Sequence, residues 1–264
     1  PAGTYKITGV TGQAGLSASD ANTRILGSGR ETTTLVYTSA QANCPSIRVS
    51  SYDVHISHIK VDGTANDTDT TNVDTQECVI DNCLIVGGHY GIALRNSTDD
   101  ATDDSAYTVN HNHRITNNQL RNHRSTGVYC YRISRTLIAH CNAKDCLVDG
   151  FKFSGGSAYN RVVDNTAEGY TRDGFDFYDG IIESTIDANV SIGNTLYGFE
   201  IKGTYAGEFS DDDYVTRHSV FSNNVAQGNG HSGFGIQSVR NVLFSGNMSV
   251  SNTLQGFDLG TVQG

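Results

Sequence analysis

A pentapeptide frame, glycine–apolar–x–apolar–x, recurs along this chain and restricts the fold more than any other feature. It stands at Gly91-Ile-Ala-Leu-Arg95, Gly127-Val-Tyr-Cys-Tyr131, Gly150-Phe-Lys-Phe-Ser154, Gly174-Phe-Asp-Phe-Tyr178, Gly198-Phe-Glu-Ile-Lys202, Gly233-Phe-Gly-Ile-Gln237 and Gly256-Phe-Asp-Leu-Gly260. The glycines are separated by 36, 23, 24, 24, 35 and 23 residues. Alternation after each glycine makes a short strand with two side chains inward and two outward. A period of about 23 residues is too short for a helix-pair repeat and fits one three-strand coil of a parallel β-solenoid. The Leu-x-x-Leu-x-Leu signature of leucine-rich repeats is missing.

Other columns keep the same frame. Nine residues before the glycines stand Asn82, Asn118, Cys141, Asn165, Asn189, Asn224 and Asn247, which predicts a ladder of stacked side-chain amides at a turn. Val79, Ile115, Ile138, Val162, Ile186, Phe221 and Phe244 form an inward column twelve residues before them. Leu84, Leu120, Ala143, Ala167, Ser191, Ala226 and Ser249, seven before, form another. The expectation is one all-β domain over residues 1–264, with less regular coils over 1–62 and regular rungs over 77–264. Thr64 to Gln76 reads as an exposed polar loop, and both ends look cut from a longer chain.

Composition narrows the function. Glycine occurs 29 times, tryptophan never and proline twice, which suits short strands and tight turns rather than a helical bundle. No apolar run is long enough to span a membrane. A net charge of −10 argues against a nucleic-acid backbone as partner. The cysteines Cys44, Cys78, Cys83, Cys130, Cys141 and Cys146 fit no common zinc spacing. Cys130 falls on an inward position and reads as a buried free thiol, while disulfides among the others stay open.

The long spacings imply insertions near 96–110 and 203–216 that leave the same sheet edge on either side of the rungs at 127, 150 and 174. Loops so placed would turn the outward face of that sheet into a groove. Both carry acidic clusters, candidate Ca²⁺ ligands or solvated charge. His111 and His113 in the first insertion read as solvated, and His55 and His58 as surface residues.

The outward columns put Lys152, Asp176 and Glu200 in one row and Arg95, Tyr131, Tyr178 and Lys202 in the next. Tyr129, Asp149, Asp173 and Tyr197 surround them. Aromatic rings among carboxylates and a few cations are what sugar recognition needs. Three readings stay open. Asp176 and Glu200 on adjacent rungs would suit the nucleophile and acid/base of a retaining glycosidase. Alternatively, Lys152 or Lys202 neutralises a sugar carboxylate or takes a proton while Tyr178 transfers one. The third is a charge ladder that only stabilises neighbouring strands.

The Asn-x-Ala…Gly-Phe-Asp repeat resembles the right-handed parallel β-helix proteins of the pectate-lyase-like superfamily, and residues 160–260 look most like mannuronan C5-epimerase modules. Those modules carry a Tyr-Gly-Phe-Asp-Pro-His-Glu catalytic stretch. Gly174-Phe175-Asp176 matches it, whereas Asp173, Phe177, Tyr178 and Asp179 replace its Tyr, Pro, His and Glu. Lys202 stands where the family offers an acid. The resemblance implies a right-handed single-stranded β-helix, a polysaccharide substrate and Asp176 as catalytic aspartate. A further similarity, in the opening Pro1-Ala-Gly-Thr-Tyr-Lys-Ile and in Arg24 to Leu35, is to viral tailspike depolymerases and secreted lyases. It implies an extracellular, virion-surface or cell-surface protein and a homotrimer or larger assembly. The expectation is a lyase or C5-epimerase of uronate-containing glycans with Asp176, Tyr178, Lys152, Lys202 and Glu200 central. The alternatives are a glycoside hydrolase, or a non-catalytic glycan-binding spike, adhesin or filament.

Overall fold

A computed structural model describes residues 2–7, 14–37, 45–64, 69–73, 76–95, 111–170, 172–203 and 215–260. The chain winds into a parallel β-helix. Among the described residues, each coil gives one short strand to each of three long sheets, of ten, ten and nine strands, and four later coils add a small fourth sheet. Among the described residues, no helix is long and apolar enough to cross a membrane.

One ten-stranded sheet carries the recurrent frame. Its later strands are Ile92–Arg95, Val128–Tyr131, Phe151–Ser154, Phe175–Tyr178, Phe199–Lys202, Phe234–Gln237 and Phe257–Leu259, in register as the columns require. Three earlier strands, Leu16–Ala18, Ile47–Val49 and Thr71–Val73, extend it. Part of the expected exposed loop over 64–76 is therefore a buried strand: Thr71 is 1 % exposed and Val73 0 %.

Inside the coil, identical residues stack on themselves. Phe151, Phe175, Phe199, Phe234 and Phe257 follow one another with ring centroids 4.9, 4.7, 4.9 and 4.8 Å apart. Such stacks add about 0.5–1.5 kcal/mol per pair beyond area burial. The asparagine ladder satisfies the buried polar groups of a corner. The backbone N–H and the side-chain amide of Asn165 both donate to the Asn189 carbonyl at 3.0 Å, and Asn189 repeats this toward Asn224. Each amide also donates back to a main-chain carbonyl, Asn189 to Val162 at 2.8 Å.

Just before the ladder, the corner residues Asn82, Asn117, His140, Asp164, Ala188 and Asn223 hold φ between 51° and 57°. Asparagine and aspartate tolerate that conformation best among residues with a side chain. A second ladder, Asn194–Asn229–Asn252, was not legible in sequence, because Tyr170 and Cys146 occupy its column in the earlier coils.

One rung departs from the expected frame. Leu84 pairs with Gln119 and Ile80 with Ile115, so Cys83, Ile80 and Ile85 hold the positions assigned to Asn82, Val79 and Leu84. The turn before Gly91 is one residue shorter than its counterparts, tightened by Gly87 and Gly88 at φ 72° and 76°. His113 is not solvated: it is buried, and its Nδ1 accepts the Cys78 N–H at 3.2 Å. Cys78, Cys83, Cys130, Cys141 and Cys146 are buried free thiols, which removes disulfides among these five. Cys44, the acidic clusters and nearly all of both insertions lie outside the described residues.

Candidate functional site

Strand alternation alone puts Lys152, Asp176 and Glu200 side by side on the outer face, as Cα partners on successive strands. The residue before each strand glycine adds a second row at the sheet edge, containing Asp149 and Asp173. Ladder hydrogen bonds fix this row: Tyr197 N–H donates to Asp173 Oδ1 at 2.8 Å, and Asp173 N–H to Asp149 Oδ1 at 3.3 Å.

The result is a floor of carboxylates. Asp149, Asp173 and Asp176 are all 0 % exposed, and each places an oxygen within 4.8 Å of the other two. Burial pushes Asp173 up to about 8, helped by the charges of Glu200 and Asp176. Burial and the Asp176 charge push Asp149 up to about 6. Asp173 thus keeps its proton at neutral pH. A hard cation would accept such an oxygen set, but the positive charge there is already a lysine. Lys152 Nζ is 2.5 Å from Asp176 Oδ2 and 3.9 Å from Asp149 Oδ2. Burial alone would lower its pKa; Asp176 and Asp149 outweigh that and raise it, so Lys152 is an ammonium.

Above the floor lies the layer that meets solvent. Tyr178 is 38 % exposed, and its ring is flanked by Lys152 Nζ and Lys202 Nζ, 5.0 and 4.9 Å from the centroid. Both ammonium groups are thus within cation–π reach of the ring. Lys202 Nζ also pairs with Glu200 Oε2 at 2.7 Å. Arg172 reaches Asp173 Oδ2 at 3.5 Å and Glu200 Oε2 at 3.9 Å. Charges alternate along the face, but Lys152, Asp176 and Glu200 do not form one chain: Lys152 serves the aspartates, while Lys202 and Arg172 serve Glu200.

Of the residues singled out from sequence, the structure brings together Lys152, Asp176, Tyr178, Glu200, Lys202, Asp149 and Asp173, with Tyr197 tied in through its backbone. Tyr197 itself tilts against His231 at 4.5 Å. Tyr129 and Arg95 belong to a neighbouring group: Tyr129 stacks on Tyr90 at 4.7 Å, and Arg95 lies over Tyr90 while pairing with Asp69 at 2.7 Å. Tyr131 packs under Arg132 instead. Sequence reasoning missed Arg172, Tyr90, Asp69 and His231. Asp69 occupies the same edge row as Asp149 and Asp173, but Thr70 replaces the glycine that marks the row elsewhere.

A family model described as right handed beta helix region matches residues 46–213, more than half of the chain. No curated protein sequence matches it. Among solved structures, it is similar to the periplasmic alginate epimerase AlgG, at 15 % identity and TM-score 0.54 over 82 % of this chain and 50 % of that one. It is also similar to the Dettilon tailspike protein (gp208), at 12 % identity and TM-score 0.55 over 97 % and 55 %. The catalytic domain of a GH87 alpha-1,3-glucanase in complex with nigerose gives 14 % identity and TM-score 0.51 over 100 % and 63 %. The likeness is one of fold, and this chain spans between half and under two thirds of the length of each.

Proposed function

The chain belongs to the right-handed β-helix family, and on that premise we propose that it is a polysaccharide-acting enzyme. Its reaction is of the lyase or C5-epimerase type on uronate-containing glycans. One observation carries the reading: the solvent-facing layer of the site is cationic and phenolic, while its three aspartates are buried beneath and Glu200 is partly covered. Arg172 and Lys202 face outward where a sugar carboxylate would lie, and neutralising that carboxylate acidifies the neighbouring C5 proton. Lys152, held as an ammonium by Asp176, adds positive charge rather than acting as base. The Tyr178 hydroxyl is the proton-transfer group that substrate can reach.

In elimination, Tyr178, entering as phenolate, takes the C5 proton as the C5–H electron pair forms the new double bond and the C4–O bond breaks. The phenol so formed gives that proton to the leaving oxygen. In epimerisation, Tyr178 takes the C5 proton from one face and a water molecule delivers another to the opposite face, leaving hydroxide that recovers the proton from Tyr178. Asp149, Asp173 and Asp176 act as positioning groups for Lys152 and Arg172. A secreted, periplasmic or surface location accords with the periplasmic and tailspike neighbours.

A second reading rests on Asp173, an acid that burial keeps protonated next to the carboxyl groups of Asp176 and Glu200. Glycoside hydrolysis uses a pair of carboxyl groups of which one is protonated. Digestion of a panel of alginate, pectate, hyaluronan and neutral α-glucans tests both. Unsaturated-uronate absorbance, or a changed uronate stereochemistry by NMR, is expected. Reducing ends without that absorbance would replace the first reading by the second, and no change in any glycan would refute both.

A further inference from the structure

A corner that joins the two sheets not carrying Asp176 holds a separate cavity of about 440 Å³. Residues from three successive coils line it, including Asp81, Asn82, Asn117, Gln119 and Asn142, and Arg30 closes it from an earlier coil. The turn around Gly27 hugs the next coil, where an added Cβ would clash with the His58 carbonyl. From there Arg30 reaches over the intervening coils to donate to the Asn117 carbonyl at 3.3 Å.

The chemistry of the lining is that of a hydroxyl-rich ligand. Asp81 Oδ1 is aimed by Thr116 Oγ1 at 2.6 Å and Asn117 Nδ2 at 2.9 Å. Burial would raise its pKa, but these hydrogen bonds outweigh that and lower it, so it remains a carboxylate. Arg30 brings a positive charge to the same lining. Asn142 Oδ1 is shielded from solvent and has no hydrogen-bond partner. One carboxylate, the Arg30 guanidinium, the His140 imidazole and several carboxamides, with no apolar side chain among them, leave little for a lipid, an anion or a metal ion. A sugar hydroxyl, which donates and accepts at once, can satisfy every group.

The same hydrogen-bonding device recurs farther along, where Asp187 takes Ser222 Oγ at 2.6 Å and Asn223 Nδ2 at 2.9 Å. There Ala188 replaces Asn82. The device alone therefore belongs to the corner; Arg30 and the added amides are what make a pocket of it. We infer that this corner is a second, non-catalytic site that binds a short neutral oligosaccharide, independent of the reaction proposed above.

The test is a titration of the ¹⁵N-labelled chain with maltotetraose, cellotetraose, xylotetraose and mannotetraose, following side-chain amide signals. At least one probe should shift Asn82, Asn117 and Asn142 saturably. Arg30→Ala and, without touching the loop, Gln119→Ala should each weaken that binding about tenfold or more. No shift with any probe, shifts confined to the sheet that carries Tyr178, or equal binding by both variants overturns the inference. Because the readout is binding at residues remote from Asp176, its failure is distinct from an absence of polysaccharide turnover.

Discussion

Replacing Asp173 by asparagine should change how stability depends on pH, and the structure fixes both sign and size. Asp173 is fully buried and its pKa rises from an ordinary carboxylate value to about 8. Between those values the folded chain holds a proton that the unfolded chain has lost, so stability falls as pH rises. Each unit costs about 1.4 kcal/mol per proton. From pH 6 to pH 8 the native chain should lose about 2–3 kcal/mol through this group. Buried His123, lowered to about 4, acts with the opposite sign, gaining stability as pH rises, but its contribution is nearly complete by about pH 7. Asparagine keeps the carbonyl that accepts the Tyr197 N–H, and it cannot titrate. Urea unfolding followed by circular dichroism at pH 6, 7 and 8 should show a falling midpoint in the native chain and a nearly flat one in Asp173→Asn. Parallel curves would refute the assignment of the bound proton.

Two further outcomes follow from the coil. Asn189→Ala removes the acceptor for both Asn165 donors and leaves the Asn224 carbonyl with one donor fewer; unsatisfied buried groups cost about 1–3 kcal/mol each, so a loss of several kcal/mol should appear in urea unfolding. Burial drives the Cys78, Cys83 and Cys141 thiols up to about 12, so a Cys44→Ser variant should react with Ellman's reagent only after denaturant is added.

The glycine frame, the inward aromatics and the first asparagine ladder were legible because stacking repeats one residue type on itself, so position in the coil shows as periodicity. Where different residues share a column, as Tyr170 and Cys146 do above Asn194, the period vanishes from the sequence although the backbone keeps it. Gly87 and Gly88 shortened one turn and shifted a whole rung by one residue, which spacing between glycines absorbs without trace.

At the site, the strand pattern placed Lys152, Asp176, Glu200, Tyr178 and Lys202 correctly on one face. It could not tell that Asp176 is buried against Lys152 or that two ammonium groups approach the Tyr178 ring. Side-chain length decides those arrangements: lysine spans a rung and aspartate does not. Arg172 escaped notice for the same reason, since it enters the site from the turn by reach and not by strand position.

Tyr178→Phe is the most direct test of the central claim. It deletes one exposed hydroxyl and leaves the ring between Lys152 and Lys202. On the uronate polysaccharide that the native chain converts, kcat should fall by about 10²–10⁴-fold, the range of a lost proton-transfer group, with the unfolding midpoint and substrate binding unchanged. Full turnover by Tyr178→Phe would contradict the account.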